Sequence, residues 1–164
     1  MPRPSNTAIR RGEIVAGLLR AMAGRGYSET SVPEIARAAG LTPGLLHYHF
    51  RSKKEILLAL VEHVEGILRT RIELRLGRAK GSGERLRAAL DAHVALGPDA
   101  NPDAVACWVQ VGAEALRDAD VRRVYERALK RQLAMLEDLV EKALREEGRS
   151  TRKVRELEIG RAHV

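Results

Sequence analysis

Apolar positions recur along most of the chain at three- and four-residue spacing, the period of amphipathic helices. From Ala8 to Gly24, residues Ile9, Ile14, Val15, Leu18, Leu19 and Met22 mark one face of a first helix, which Gly24 and Gly26 end. Tyr27 follows as a core anchor. Ser31-Val32-Pro33-Glu34 reads as a capping box opening a second helix, with Pro33 in the first turn, where its missing N–H costs little. Ile35, Ala36 and Ala39 face inward. Gly40 stops this helix, being free to take the left-handed conformation required there. Thr42 caps a third helix, with Pro43 at its first position. Helix, glycine-containing turn and helix within about twenty residues outline a helix-turn-helix.

A fourth helix opens on Ser52-Lys53-Lys54-Glu55, a second capping-box pattern, and runs to about Gly77 with Ile56, Leu57, Leu60, Val61, Val64, Ile67, Leu68 and Ile72 on one face. At ~1.5 Å per residue it spans roughly 35–40 Å, more than a small three-helix domain needs, so it connects two domains. Ala79–Gly83 reads as a linker. A fifth helix covers Glu84–Leu96 through Leu86, Leu90 and Val94, and residues 97–100 form a loop. Asn101-Pro102-Asp103 opens a sixth, carrying Val105, Trp108, Val109, Val111, Ala115 and Leu116. Asp118–Asp120 breaks the chain. A long seventh helix then runs to about Glu147, with Val121, Val124, Tyr125, Ala128, Leu129, Gln132, Met135 and Leu136 among its inward positions. There is no strand candidate, so the expected class is all-α. Residues 1–54 form a helix-turn-helix domain with a flexible arm over 1–7. Residues 55–158 form an antiparallel helical domain that is incomplete.

Composition changes this picture in one respect, the placement of charge. The chain of 164 residues carries a net +7. Residues 1–54 hold nine Lys/Arg against three acids, a net +6, and the remaining residues are balanced to +1. Such asymmetry points to a polyanion-binding N-terminal unit. The single cysteine, Cys107, allows no intrachain disulfide and fits a reducing compartment. No apolar run reaches the ~18 residues of a membrane span. A cytoplasmic protein is expected.

Only five residues are aromatic, and two of them, Tyr48 and Phe50, sit beside His47 and His49 in LTPGLLHYHFRSKKEIL. Residues 30–57 resemble the DNA-binding domain of the TetR family of bacterial transcriptional regulators. The resemblance is carried by Ser31, Ile35-Ala36, Ala39-Gly40, Thr42, Gly44, Leu46, Tyr48-His49-Phe50, Lys53 and Leu57. Within that family, Ala104–Tyr125 is most similar to the choline–betaine regulator subgroup. Physical chemistry supports the same reading. A recognition helix lies in the major groove with its N-terminus near phosphate. Thr42 offers a hydroxyl there, and Gly44 lets the backbone approach closely. Tyr48 and His49 can donate to phosphate, and Lys53 can clamp the backbone. Base reading falls to Pro43, Gly44, Leu45 and His47, with Leu45 suited to a thymine methyl and His47 to a purine edge. Family members often carry Tyr where His47 stands. The expected DNA-binding set is Ser31, Thr42, Pro43, Gly44, Leu45, His47, Tyr48, His49 and Lys53. Leu46 and Phe50 belong to the core, together with part of the Tyr48 ring. Arg10 and Arg11 either touch flanking phosphate or the minor groove or belong to an idle basic arm.

The resemblance further implies small-effector binding and dimerisation by the C-terminal helices. His63, His93, Trp108, Gln110, Glu114, Tyr125 and Gln132 are the polar or unusual residues on otherwise apolar faces, and Trp108 with Tyr125 could wall a cationic or planar ligand. Taken singly, each reads more readily as an ordinary core or surface residue. Cys107 reads as a small core residue. His47 and His49, two apart, point in different directions on a helix and form no metal pair. No cofactor and no catalytic residue are expected, since the chain lacks a nucleophile–base pair, a phosphate-binding glycine loop and metal-ligand spacing.

The last seven residues, Glu158 to Val164, match the in-frame translation of a common sequencing-adapter oligonucleotide (GAG ATC GGA AGA GCA CAC GTC). The expectation is a tail of adapter origin over 159–164 and a natural chain that continues past Glu158, a new helix having started around 150–158. In the family the last two helices usually make the dimer, so these 164 residues should dimerise poorly. Stable dimers by light scattering would count against this. The expected function is a homodimeric repressor that releases a pseudo-palindromic DNA operator on binding a small effector. An activator or a member indifferent to effector is the alternative, and a helical interaction module without DNA binding a third reading.

Overall fold

The computed structural model describes residues 6–94 and 97–151. Seven helices lie among them and no strand: α1 (Asn6–Arg25), α2 (Val32–Ala38), α3 (Pro43–His49), α4 (Lys53–Leu76), α5 (Ser82–His93), α6 (Pro102–Ala115) and α7 (Ala119–Glu146). Four expectations lie outside the described residues: most of the arm, the end of the fifth helix at Ala95 and Leu96, the helix around 150–158 beyond Thr151, and the suspected tail 159–164.

The capping chemistry is realised at three helix starts. Ser31 Oγ accepts from the Glu34 N–H while the Glu34 carboxylate accepts from the Ser31 N–H, a complete capping box. Thr42 Oγ1 accepts from the Leu45 N–H at 3.3 Å, and Asn101 Oδ1 from the Ala104 N–H at 3.0 Å. At the fourth helix only half the expected box forms. Ser52 Oγ accepts from the Glu55 N–H, but the Glu55 carboxylate reaches past Ser52 to the Arg51 N–H at 2.9 Å. Gly40 adopts φ +70°, which turns the chain between α2 and α3.

The chain divides into two compact units. Among the described residues, the first contains 6–67 and 101–128, the second 68–94, 97–100 and 129–151. This grouping cuts across the division at residue 54 expected from charge and motif. The first half of α4, all of α6 and the start of α7 join the N-terminal helices, because their apolar faces close one continuous core. Ile14, Leu18 and Met22 of α1 meet Ile35, Leu46, Phe50, Ile56, Leu60, Cys107, Val111 and Val121 there, all fully buried or nearly so. The second unit has a smaller core of Ile72, Ala89, Ala92 and Leu139, flanked by Leu68, Leu76, Leu86, Met135 and Leu136. There Arg71 donates to the Ala92 carbonyl at 2.8 Å and to Asp99 at 3.1 Å, and Arg75 shares the same carboxylate. These guanidiniums hold the Asp99 carboxyl well below the usual carboxylate range.

Several positions expected inside face outward. On α6 the inward face is the small-residue stripe Ala104, Cys107, Val111 and Ala115, which lets α6 approach α1 closely. Val105, Val109 and Leu116 therefore point away, the last two 67% and 79% exposed. Ile9, Leu90, Val94 and Leu129 are likewise exposed. Helical period identifies a face but not which of two apolar stripes a neighbour covers.

Candidate nucleic-acid interface

The recognition helix α3 is two turns long and splits cleanly by side. Leu46 is fully buried, α3 packing against α1 and α2, and Phe50, also buried, ends the helix. Pro43, Gly44, Leu45, His47 and Tyr48 all face solvent. The Tyr48 ring, expected to be partly buried, is 80% exposed and touches His49 edge-on, with ring centroids 5.0 Å apart. Short α3 cannot bury both Tyr48 and its neighbours at Leu46 and Phe50. The Thr42 hydroxyl spends a lone pair on the Leu45 N–H, and its own proton is free to donate to a phosphate.

Three other members of the expected set have partners within the protein. The Ser31 hydroxyl donates to Glu34 at 2.7 Å, so its first duty is the cap. Hydrogen bonds from the Ser31 backbone and side chain hold the Glu34 carboxyl below its ordinary pKa. His49 is half-buried, and its carbonyl accepts from Arg11 at 2.5 Å. Lys53 is drawn inward. Its ammonium donates to the Tyr27 carbonyl at 2.5 Å and lies 4.1 Å from the centre of the Tyr27 ring. Burial pushes its pKa down against the opposing pull of Glu114 and Glu34. A phosphate clamp by Lys53 requires it to leave Tyr27.

Arg11 follows neither of the alternatives weighed for it. Its guanidinium stacks on Phe50, 3.8 Å from the ring centre, and faces Glu55 at 3.3 Å. It buckles α1 to the end of α3 and the start of α4. Arg10 pairs within its own helix with Glu13 at 2.7 Å.

The seven effector candidates do not form one group. Trp108 and Tyr125 come together, ring centroids 4.6 Å apart and planes inclined by 38°. Tyr125 fits there because position 112 is glycine: a Cβ on Gly112 would lie 3.0 Å from the Tyr125 hydroxyl. His63 is half-buried in the same unit, and burial lowers its pKa. Gln110 and Glu114, by contrast, address the N-terminal helices. The Gln110 amide donates to the Met22 carbonyl at 3.1 Å, and Ser28 Oγ donates to Glu114 at 3.4 Å. His93 and Gln132 belong to the second unit, where the His93 ring bonds the Ala89 carbonyl through Nδ1. Cys107 is a buried core residue, its thiol pushed up to about 11 by burial. Pattern reading missed Lys54, which lies beside Asp118 and Asp120. A basic residue at a helix start and two acids in a distant turn carry no signal of their pairing.

The family model described as "Bacterial regulatory proteins, tetR family" matches residues 14–60, and that described as "BetI-type transcriptional repressor, C-terminal" matches residues 82–160. The chain belongs to the TetR family. Its curated relatives include the HTH-type transcriptional regulator BetI of Rhizobium meliloti, 32% identical over 136 residues, and that of Agrobacterium fabrum, 33% identical over 137. Both alignments cover 81% of this chain, which spans 66% of the length of either relative. Among solved structures, a putative transcriptional regulator from Saccharomonospora viridis in complex with choline is similar, with a TM-score of 0.74 and 25% identity over 85% of this chain and 72% of that one. In the TetR-family frame, α3 is the recognition helix and α6 belongs to the BetI-type match. Among the described residues no helix is long and apolar enough to cross a membrane.

Proposed function

We propose that the chain is the greater part of a cytoplasmic transcriptional repressor that binds a pseudo-palindromic DNA operator as a homodimer and releases it on binding a small cationic effector of the choline class. The observation that carries this reading is the recognition helix. It presents Pro43, Gly44, Leu45, His47 and Tyr48 to solvent while Leu46 and Phe50 anchor it. Residues 1–54 supply DNA binding, and residues 55–158 supply effector binding and dimerisation. Thr42, Tyr48, His49 and, once freed from Tyr27, Lys53 contact phosphate. Leu45 and His47 read base edges. Ser31 caps α2 and sits at the edge of the interface.

The effector class follows from the tilted Trp108–Tyr125 pair, since aromatic faces attract a quaternary ammonium with about 0.5–2 kcal/mol each, and from the choline bound by the Saccharomonospora regulator. His63 is the polar group nearest in role. Gln110 links α6 with α1 and Glu114 links it with the α1–α2 turn, rather than lining the effector site. Effector binding displaces α6, and the two recognition helices of a dimer then lose the spacing that engages both half-sites together. The relatives are transcription regulators, and an enzymatic role is not proposed.

The test is selection of bound duplexes from a random pool, followed by titration of choline against the enriched sequence. Enrichment of an inverted repeat and weaker binding with choline support the repressor. Binding that choline strengthens or leaves unchanged favours an activator or an effector-indifferent member. No enrichment by a chain that light scattering shows to be dimeric favours an interaction module.

A further inference from the structure

Three consecutive residues open α4, and each grips a different element. Lys53 bonds the Tyr27 and Ser28 carbonyls in the turn between α1 and α2. Lys54 Nζ lies 2.8 Å from Oδ2 of Asp118, in the turn between α6 and α7, and 2.5 Å from Oδ2 of Asp120, in the first turn of α7. Glu55 accepts from the Arg51 N–H and faces Arg11, which holds the His49 carbonyl at the end of the recognition helix. All of these groups belong to one compact unit.

Asp118 has two tasks. Its Oδ1 accepts from the N–H groups of Asp120 at 2.8 Å and Val121 at 3.2 Å, which caps α7. Its Oδ2 holds Lys54. One carboxylate therefore fixes the start of α7 and ties it to α4. Hydrogen bonds donated by the Lys54 ammonium to the Asp118 and Asp120 carboxylates push the Lys54 pKa up, so the contact stays charged. As a staple, a half-exposed ion pair contributes little to stability. As a fixed joint it is well placed, because Lys53, Lys54 and Glu55 share one rigid helical turn and cannot move separately.

We propose that Lys54, Asp118 and Asp120 are positioning residues that carry a displacement of the α6–α7 turn to the recognition helix, and that Lys54 makes no contact with DNA. This rests on the regulator reading above and names the route by which its DNA affinity is controlled.

A double-mutant cycle on the full chain tests it. Lys54→Met keeps the length and apolar stem of the side chain and removes the charge. Asp118→Asn retains an N-cap, since Asn caps as well as Asp, and is combined with Asp120→Asn. Affinity for the selected operator and amide hydrogen exchange at residues 46–50 are measured on wild type, each variant and their combination. With Lys54 present, the paired Asn substitutions should change both readouts by about threefold or more, and on the Lys54→Met background by less than about 1.5-fold. Lys54→Met should leave the salt dependence of operator binding unchanged, where loss of a phosphate contact would lower the slope by about one. Lys54→Arg should restore the coupling. Additive effects in the cycle, or a reduced salt slope in Lys54→Met, overturn the proposal. If a wild-type chain that forms dimers binds no DNA, the regulator reading fails, and in every case the exchange cycle by itself decides the route.

Discussion

Gly17 and Gly44 are both helical, yet the fold constrains only the first. A Cβ on Gly17 would lie 2.9 Å from Ala39 Cβ, the Ala39 nitrogen and the Ile35 carbonyl oxygen, two of them backbone atoms that cannot step aside. Gly17→Ala should destabilise the protein by roughly 1–3 kcal/mol in chemical denaturation. A Cβ on Gly44 would meet nothing within 4 Å. Gly44→Ala should leave stability unchanged or raise it by up to about 1 kcal/mol, while operator affinity falls because the backbone can no longer approach DNA. Unchanged affinity would remove Gly44 from the interface. His63 supplies a pH dependence. Burial lowers its pKa below 6.5, so the folded state prefers the neutral ring. Its contribution is fully present above pH 6.5 and is lost as pH falls through that value toward the lower folded one. The melting temperature should therefore drop between about pH 7 and pH 5, and His63→Leu should flatten this segment of the profile. The depressed carboxyls of Glu34 and Glu55 act separately, their stabilisation fading only below 4.5.

Helix ends and the joints between helices make different demands. Thr42 caps α3 through Oγ1, a contact that Ser can reproduce and Val cannot. Thr42→Ser should be close to neutral, and Thr42→Val should cost about 1 kcal/mol of stability and weaken operator binding as well. Equal behaviour of the two variants would deny the hydroxyl any role. Arg11 joins α1 to the α3–α4 corner through Phe50, the His49 carbonyl and Glu55. Because its guanidinium is occupied there, Arg11→Ala should lower operator affinity without changing the salt slope. An arginine on phosphate would take about one unit of slope with it. Period and capping signals located every helix start to within two or three residues. They could not say that Glu55 would pass over Ser52 to reach Arg51, because that choice depends on Arg11 arriving from α1.

Across the molecule, the two compact units differ in how much apolar surface they bury. The first encloses large residues from α1, α2, α3, α4 and α6, whereas the second rests on two isoleucine- and leucine-sized residues and two alanines. Amides of α5 and of α7 beyond Ala128 should exchange faster than those of α1 and the first half of α4, and lose protection first as denaturant is added. Uniform exchange across both units would contradict this. The charge asymmetry is a property of the same scale. It favours association with a polyanion but does not choose the face, which the exposure of α3 decides.

The all-α class, the seven helices and the recognition motif were readable in the chain because they depend on local chemistry: spacing of apolar residues, capping hydroxyls, and glycine at a left-handed turn. The outward face of α3 followed from the same cues, with Pro43, Gly44, Leu45, His47 and Tyr48 exposed around a buried Leu46. What only the tertiary structure decided is which partners distant side chains meet. Gln110 and Glu114 resembled pocket polarity and hydrogen-bond to Met22 of α1 and to Ser28 in the turn after it, Arg11 resembled a basic arm but is a buckle, and Lys54 found its acids 64 and 66 residues away. Local sequence encodes the periodicity of a face. Which other face covers it, and which charge faces which, is settled when the core closes, because that depends on the packing of all the helices at once.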